Sequence, residues 1–199
     1  MNLHPLLVVV LSYLVGSIPF GVILGSRLAG LDVRKYGSGN IGATNVLRTL
    51  GFRFAACTFV LDTLKGAFAV WLARLTGLNP AWIAASGAAA VAGHNWPVWL
   101  GFRGGKGIAT TFGFVLLAMP SVGIVVAAVW VTLILVCRYA SVASMLAVAS
   151  SPVAALLAGY PREYATVCAL FALSAVVRHV SNIRRLLSGT ENKFVLKLR

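Results

Sequence analysis

The sequence predicts an all-α, polytopic integral membrane protein. Seven transmembrane helices are expected, with the N-terminus outside and the C-terminus in the cytosol. Three observations predict it. Apolar residues make up 59% of the 199 residues and charged residues 11%, against ~45–50% and ~25% in soluble domains. Six apolar stretches lie along the chain, and the longest, of 30 residues, is interrupted by Met119-Pro120-Ser121. The cations are distributed unevenly between alternate loops. With a mean hydropathy of +0.90, a water-soluble enzyme of this size could not hide its apolar surface. The same numbers exclude disordered, collagenous and disulfide-scaffold classes. Residues 1–199 read as one transmembrane domain.

The elements follow in order. Leu6–Ser26 runs 21 residues without a charge, too long for a signal-peptide core, and no Lys or Arg precedes it. It is expected to remain as the first span. Phe54–Ala73 contains Asp62 and Lys65. Ala81–Leu100 is apolar until Gly93-His94-Asn95. Ile108–Cys137 is 30 residues without a charge, which at helical rise is ~45 Å, too long for one ordinary span. Met119-Pro120-Ser121 lies inside it, and proline breaks helices. Ser141–Gly159 and the shorter Tyr164–Val177 complete the set, the latter reaching an interface by including Arg178 and His179.

Charge decides how the long stretch is divided. With a break at Met119-Pro120, Arg27, Arg34, Lys35, Arg48, Arg53, Arg103, Lys106, Arg138, Arg178, Arg184, Arg185, Lys193, Lys197 and Arg199 all fall inside, fourteen of the seventeen Lys and Arg. Arg74 and Arg162 fall outside, and Lys65 is within a span. Without the break the asymmetry largely disappears, against the positive-inside rule. The piece Ile108–Met119 is then short and is expected to be tilted or re-entrant. The net charge of +13 has the same cause, so no nucleic-acid partner is expected.

Only four carboxylates exist, Asp32, Asp62, Glu163 and Glu191. No metal cluster and no closely spaced acid pair can be built from them, and neither metal nor cofactor is expected. Cys57, Cys137 and Cys168 are odd in number, lack ligand spacing and read as small packing residues. Asp62 and Lys65 are three apart within a span, where each unpaired charge would cost ~3 kcal/mol. They read as a pair, or as two groups each bonded to another helix.

Three polar segments fall on the cytosolic side. The first is Gly37-Ser38-Gly39-Asn40-Ile41-Gly42-Ala43-Thr44-Asn45, followed by Arg48. Small residues with hydroxyls and amides let backbone N–H groups approach an anion at a helix start; an interfacial loop that needs glycine to turn has the same composition. The second runs from Gly93-His94 to Gly104-Gly105-Lys106-Gly107. Three glycines around one lysine suit a phosphate, although G-x-x-x-x-G-K-S/T is not matched; Trp96 and Trp99 equally suit an interface. The third is Arg178-His179-Val180-Ser181-Asn182, then Gly189-Thr190-Glu191. His179 and Asn182 share a helix face in what could also be a basic surface helix. No G-x-S-x-G, H-E-x-x-H or H-x-x-x-x-D pattern occurs. Any reaction must therefore depend on positioning and charge stabilisation.

Taken together and in this order, these segments resemble the bacterial acyl-phosphate:glycerol-3-phosphate acyltransferase (PlsY) family. Asp62-Thr63-Leu64-Lys65-Gly66, Ala109-Thr110 and Arg138…Ser141…Ser144 fit as well. The resemblance implies transfer of a fatty acyl chain from acyl phosphate to the 1-hydroxyl of glycerol-3-phosphate. The products would be lysophosphatidate and inorganic phosphate, in the first acylation of phospholipid synthesis, at the inner face of the bacterial cytoplasmic membrane. It implies catalytic roles for Ser38, Arg48, Lys106, His179 and Asn182. Substrate binding would fall to Gly37, Gly39, Asn40, Thr44, Asn45, Gly104, Gly105, Gly107, Thr110 and Ser141. Structural roles would fall to Asp62, Lys65 and Glu191. An acyl phosphate carries its own leaving group, and the departing phosphate can take the hydroxyl proton; His179 as general base is the competitor. An anion carrier and a non-catalytic lipid-binding protein are the other classes. No inverted repeat supports the first, and three polar segments at one face exceed what the second needs.

Overall fold

The computed structural model describes residues 3–195. Among them are ten α-helices, two single 3-10 turns and no strand: α1 Pro5–Gly16, α2 Phe20–Leu28, α3 Ala43–Leu50, α4 Phe52–Leu75, α5 Pro80–Asn95, α6 Ile108–Ala118, α7 Pro120–Cys137, α8 Ala140–Leu157, α9 Arg162–Arg178 and α10 Val180–Leu187. Lys197 and Arg199, two of the counted cations, lie outside the described residues.

Four stretches are long and apolar enough to cross a membrane: Pro5–Leu28, Phe52–Leu75, Pro120–Cys137 and Ala140–Leu157. α9 and α10 together make a fifth, bent by 56° at His179. Helices α5 and α6, of 16 and 11 residues, reach only ~24 and ~17 Å. The interruption at Met119 is present, with α6 ending at Ala118 and α7 opening on Pro120.

Two features differ from the sequence reading. The first span is not continuous: Ser17–Pro19 separates α1 from α2. Pro19 lacks an N–H and disfavours helical backbone at Ile18; the Ile18 carbonyl accepts only the local Phe20 N–H at 3.1 Å from the backbone, and its second lone pair can take a donor from elsewhere. The segment between Arg27 and Arg53 is also not all loop. Its second half is α3, whose Val46 and Leu47 pack with Val22, Val33, Ile41 and Ala55 in a small core of their own.

Small residues let the long helices approach closely, as they do where lipid supplies no hydrophobic drive. A Cβ on Gly66 of α4 would overlap the Thr110 carbonyl of α6, and one on Gly113 of α6 would overlap the Thr63 carbonyl of α4. Gly16 and Gly93 do the same between α1 and α5. The main core centres on Phe114, which is fully buried. Its ring meets Phe171 at 5.5 Å and Tyr164 at 6.1 Å, both edge-on, and lies over the space that Gly87 leaves. This packing brings the starts of α3, α6, α8 and α10 together.

Candidate functional site

One cleft collects the first turns of these four helices. Ala43 and Thr44 of α3, Ile108 and Ala109 of α6, Ala140 and Ser141 of α8, and His179 with Asn182 at α10 all line it. None of the four helices has a side-chain cap at its N-terminus or an acid in its first turn. Their unsatisfied N–H groups and positive dipole ends therefore face a shared space. Arg48 and Lys106 add two cations, and Phe59, Ile108 and Trp130 add an apolar wall. The charge and lining of such a space would suit an anion that carries an apolar tail.

The α3 side is organised by Asn45, which is buried. Its Oδ1 accepts from the Ser38 N–H at 2.8 Å. Its Nδ2 donates to the carbonyls of Val33 (2.9 Å), Tyr36 (3.2 Å) and Asn40 (2.8 Å). With these bonds Asn45 builds the loop while it also borders the cleft. Gly37 and Gly39 have φ of 60° and 70°, which glycine adopts without strain. They shape the turn but do not line the cleft. Ser38, Asn40, Thr44 and Arg48 do.

The glycine–lysine segment is also arranged differently from a simple backbone cradle. A Cβ on Gly104 would overlap the His94 carbonyl, and one on Gly105 would overlap the His94 ring. The segment thus lies flat on the end of α5, with the Gly105 N–H donating to the His94 carbonyl at 3.0 Å. Gly104 and Gly105 stay behind the lining; Lys106 and Gly107 reach it. Thr110 is fully buried at the α4–α6 contact and is likewise outside the cleft.

Lys106 starts a chain of polar contacts. Its Nζ donates to Asn182 Oδ1. Asn182 Nδ2 donates to Glu191 Oε1 at 2.6 Å, and Ser141 Oγ donates to the same oxygen at 3.0 Å. Arg185 Nε donates to Glu191 Oε2 at 2.8 Å. Burial works against the Glu191 carboxylate, but its bonds to Asn182, Arg185 and Ser141 outweigh that and hold its pKa below the usual range. Burial pushes the Lys106 ammonium down to about 8, opposed by Glu191 and helped by Arg185, Arg48 and Arg178. Beyond Glu191 the Phe194 N–H donates to the Arg138 carbonyl at 2.6 Å. The Phe194 ring meets Trp130 at 6.1 Å, so the tail closes over the α7–α8 side.

His179 is buried, and its Nδ1 lies 2.7 Å from the Ala175 carbonyl. A carbonyl only accepts, so Nδ1 carries the proton. In the neutral ring Nε2 is then left as an acceptor.

Below these groups sits a charged cluster whose third member the sequence did not single out. Lys65 Nζ lies 2.7 Å from Asp62 Oδ1 and 3.1 Å from His94 Nδ1, and donates to the Ile18 carbonyl at 2.9 Å. The Phe20 ring is 5.5 Å from the same ammonium. His94 Nδ1 is 3.6 Å from Asp62 Oδ1. This places an aspartate beside a histidine in the cleft, which no other aspartate and histidine do among the described residues. His94 nevertheless cannot serve as a base there: Nδ1 faces Lys65, and Nε2 is packed against Gly105. Its sequence signal is its place at the Gly93-His94 opening of the second polar segment, where the reading assigns it no role of its own. Lys65 itself does not line the cleft; Asp62 and His94 do.

The apolar helices and the cation-lined cleft at one end define a class: a helical integral membrane protein with a positively charged cleft. Comparison with known proteins specifies it. A family model described as glycerol-3-phosphate acyltransferase matches residues 6–189. The glycerol-3-phosphate acyltransferase of Rubrobacter xylanophilus is 47% identical over 188 residues, covering 94% of both chains. That of Sinorhizobium fredii is 50% identical, covering 94% of this chain and 91% of its own. Two crystal structures of PlsY, an integral membrane glycerol-3-phosphate acyltransferase, superpose closely. The glycerol-3-phosphate form does so with a TM-score of 0.91 at 40% identity, covering 96% of each chain. The lysophosphatidic acid form does so at 0.89 and 39%. The chain belongs to the glycerol-3-phosphate acyltransferase family and is a PlsY-type member of it.

The charged cluster generates a stability prediction. Removing one partner of a buried ion pair costs about 3–5 kcal/mol, because the other charge is left unpaired. Asp62→Asn is expected to lower the thermal midpoint of the detergent-solubilised protein sharply. The double variant Asp62→Asn/Lys65→Met should recover most of the loss.

Proposed function

We propose that this chain transfers a fatty acyl group from acyl phosphate to the 1-hydroxyl of glycerol-3-phosphate, giving lysophosphatidate and inorganic phosphate. The acceptor oxygen bonds to the acyl carbon and the carbon–oxygen bond to phosphate breaks. The hydroxyl proton leaves with the departing phosphate, and no acyl-enzyme forms. The observation that carries this reading is the convergence of four uncapped helix starts with Arg48 and Lys106 beside an apolar wall. Both reactants are phosphorylated and one has a lipid tail, so such a site suits the pair.

In this reading Ser38 hydrogen-bonds the acyl phosphate near its carbonyl, and Arg48 and Lys106 neutralise phosphate. The amides at Ala43, Thr44, Ile108 and Ala109 complete the anion sites. His179 and Asn182 orient the acceptor hydroxyl, His179 through Nε2. Asn40, Gly107 and Ser141 border the substrates, while Glu191, Asp62 and Lys65 hold the walls. The topology that goes with it is one domain of seven spans, with α5 and α6 as short ones, the N-terminus outside and the C-terminus in the cytosol. The cation distribution supports it. The cleft then opens to the cytosol from the inner membrane of a bacterium, where the enzyme performs the first acylation of phospholipid synthesis.

The test is phosphate release from purified protein in detergent. Release is expected only when acyl phosphate and glycerol-3-phosphate are both present, and Lys106→Ala should abolish it while the protein still inserts and purifies normally. Release without the acceptor, or near-normal turnover by Lys106→Ala, would remove the proposal.

A pH dependence follows from Lys106. Its amine is charged below about 8 and neutral above. kcat/KM for the phosphorylated acceptor should therefore fall as pH rises through 8, approaching tenfold per unit. Lys106→Arg should flatten this limb.

The proton route is decided by His179→Gln. Loss of a general base costs ~100-fold or more. Retention of more than about a few per cent of kcat at neutral pH is expected if the leaving phosphate takes the proton.

A further inference from the structure

We propose that Arg178 is a positioning residue for acyl transfer: its guanidinium clamps the carbonyls of Gly104 and Gly105 and thereby sets Lys106 against His179 and Asn182. The inference rests on the functional reading above and assigns a part to a side chain that does not line the cleft.

Three hydrogen bonds make the clamp. Arg178 Nε donates to the Gly105 carbonyl at 2.9 Å, and Nη2 donates to the carbonyls of Gly104 at 2.8 Å and Gly105 at 2.7 Å. The guanidinium lies 5.7 Å from the Trp96 ring, close enough for a cation–π contact. An arginine in the last turn of a helix ordinarily favours that helix's own free carbonyls. This one reaches 73 and 74 positions back along the chain instead.

The glycine segment needs such a partner. It lies between the 3-10 turn Val98–Leu100 and α6, so no helix takes up its carbonyls. Its N–H side is held by α5 through the Gly105–His94 bond. Arg178 holds the opposite side, and the segment is fixed between two helices. Lys106 is the next residue. Arg178 is also the last residue of α9 and directly precedes His179, with Asn182 one turn further. One side chain therefore fixes the separation between the lysine and the two groups across the cleft. Misplacement by ~1 Å at such a site can cost ~100-fold in rate. A lysine at 178 would keep the charge without the planar fork that serves two carbonyls at once.

The experiment compares Arg178→Lys and Arg178→Gln with the wild-type protein in detergent. Both are expected to lose about tenfold to a hundredfold in kcat, with KM for acyl phosphate and for glycerol-3-phosphate within about threefold of wild type. Without any substrate, the amides of residues 101–107 should exchange hydrogen faster in both variants. Wild-type kcat in Arg178→Lys would overturn the proposal, and so would a raised KM with kcat kept, which would make Arg178 a substrate ligand. Unchanged exchange would overturn it too. Should Arg178→Gln fail to fold, the lysine variant carries every measurement. If the wild-type protein makes no lysophosphatidate, the functional reading fails, and the exchange measurement still decides whether the clamp exists.

Discussion

The hydrogen bond from Lys106 to Asn182 joins parts of the chain 76 residues apart, and the rest of the site is arranged around it. Lys106 enters from the glycine segment ahead of α6, and Asn182 from the first turn of α10. Glu191 orients the Asn182 amide, so that its oxygen is the atom left facing the ammonium. A point charge held by an oriented dipole is pre-organised and need not reorganise when an anion arrives. The same contact brings the starts of α6 and α10 together, which makes their free N–H groups part of one surface.

Charge in this bundle is arranged on two levels. Lys106, Arg48 and the helix starts face the cleft, where a ligand can reach them. Lys65 sits deeper, satisfied by Asp62, His94 and the Ile18 carbonyl. The two levels meet at His94. Its ring closes the deeper cluster, while its carbonyl and ring face support the glycine segment. A cluster whose lysine lies behind the lining thereby contributes to the shape of the site above it. A mechanism without a protein base is compatible with this arrangement, because the His94 ring beside Asp62 has Nδ1 turned to Lys65 and Nε2 packed against Gly105.

Much of this was legible in the sequence, because apolar length, proline and cation placement act locally. The interruption at Met119-Pro120 and the polar character of the three segments are of that kind. The break at Ser17–Pro19 was missed, although Pro19 signals it, because the apolar run continues through it without a change in composition. The place of Asn45 was not legible either. An asparagine in a glycine-rich segment reads as a ligand, and nothing local shows the four hydrogen bonds by which it also closes the loop on itself. The clamp by Arg178 and the blocked orientation of His94 depend on contacts between distant parts of the chain, which no local pattern encodes.

The interrupted first span has a consequence for biogenesis. Lys65 is costly to a helix entering the bilayer alone. Its backbone acceptor, the Ile18 carbonyl, belongs to a segment synthesised 47 residues earlier, and Asp62 travels in the same helix one turn away. Two of its three polar partners are thus already made when the lysine leaves the ribosome, and only His94 arrives afterwards. The gap between α1 and α2 acts as a docking notch prepared in advance, so that the order of translation favours insertion of the charged helix beside its predecessor.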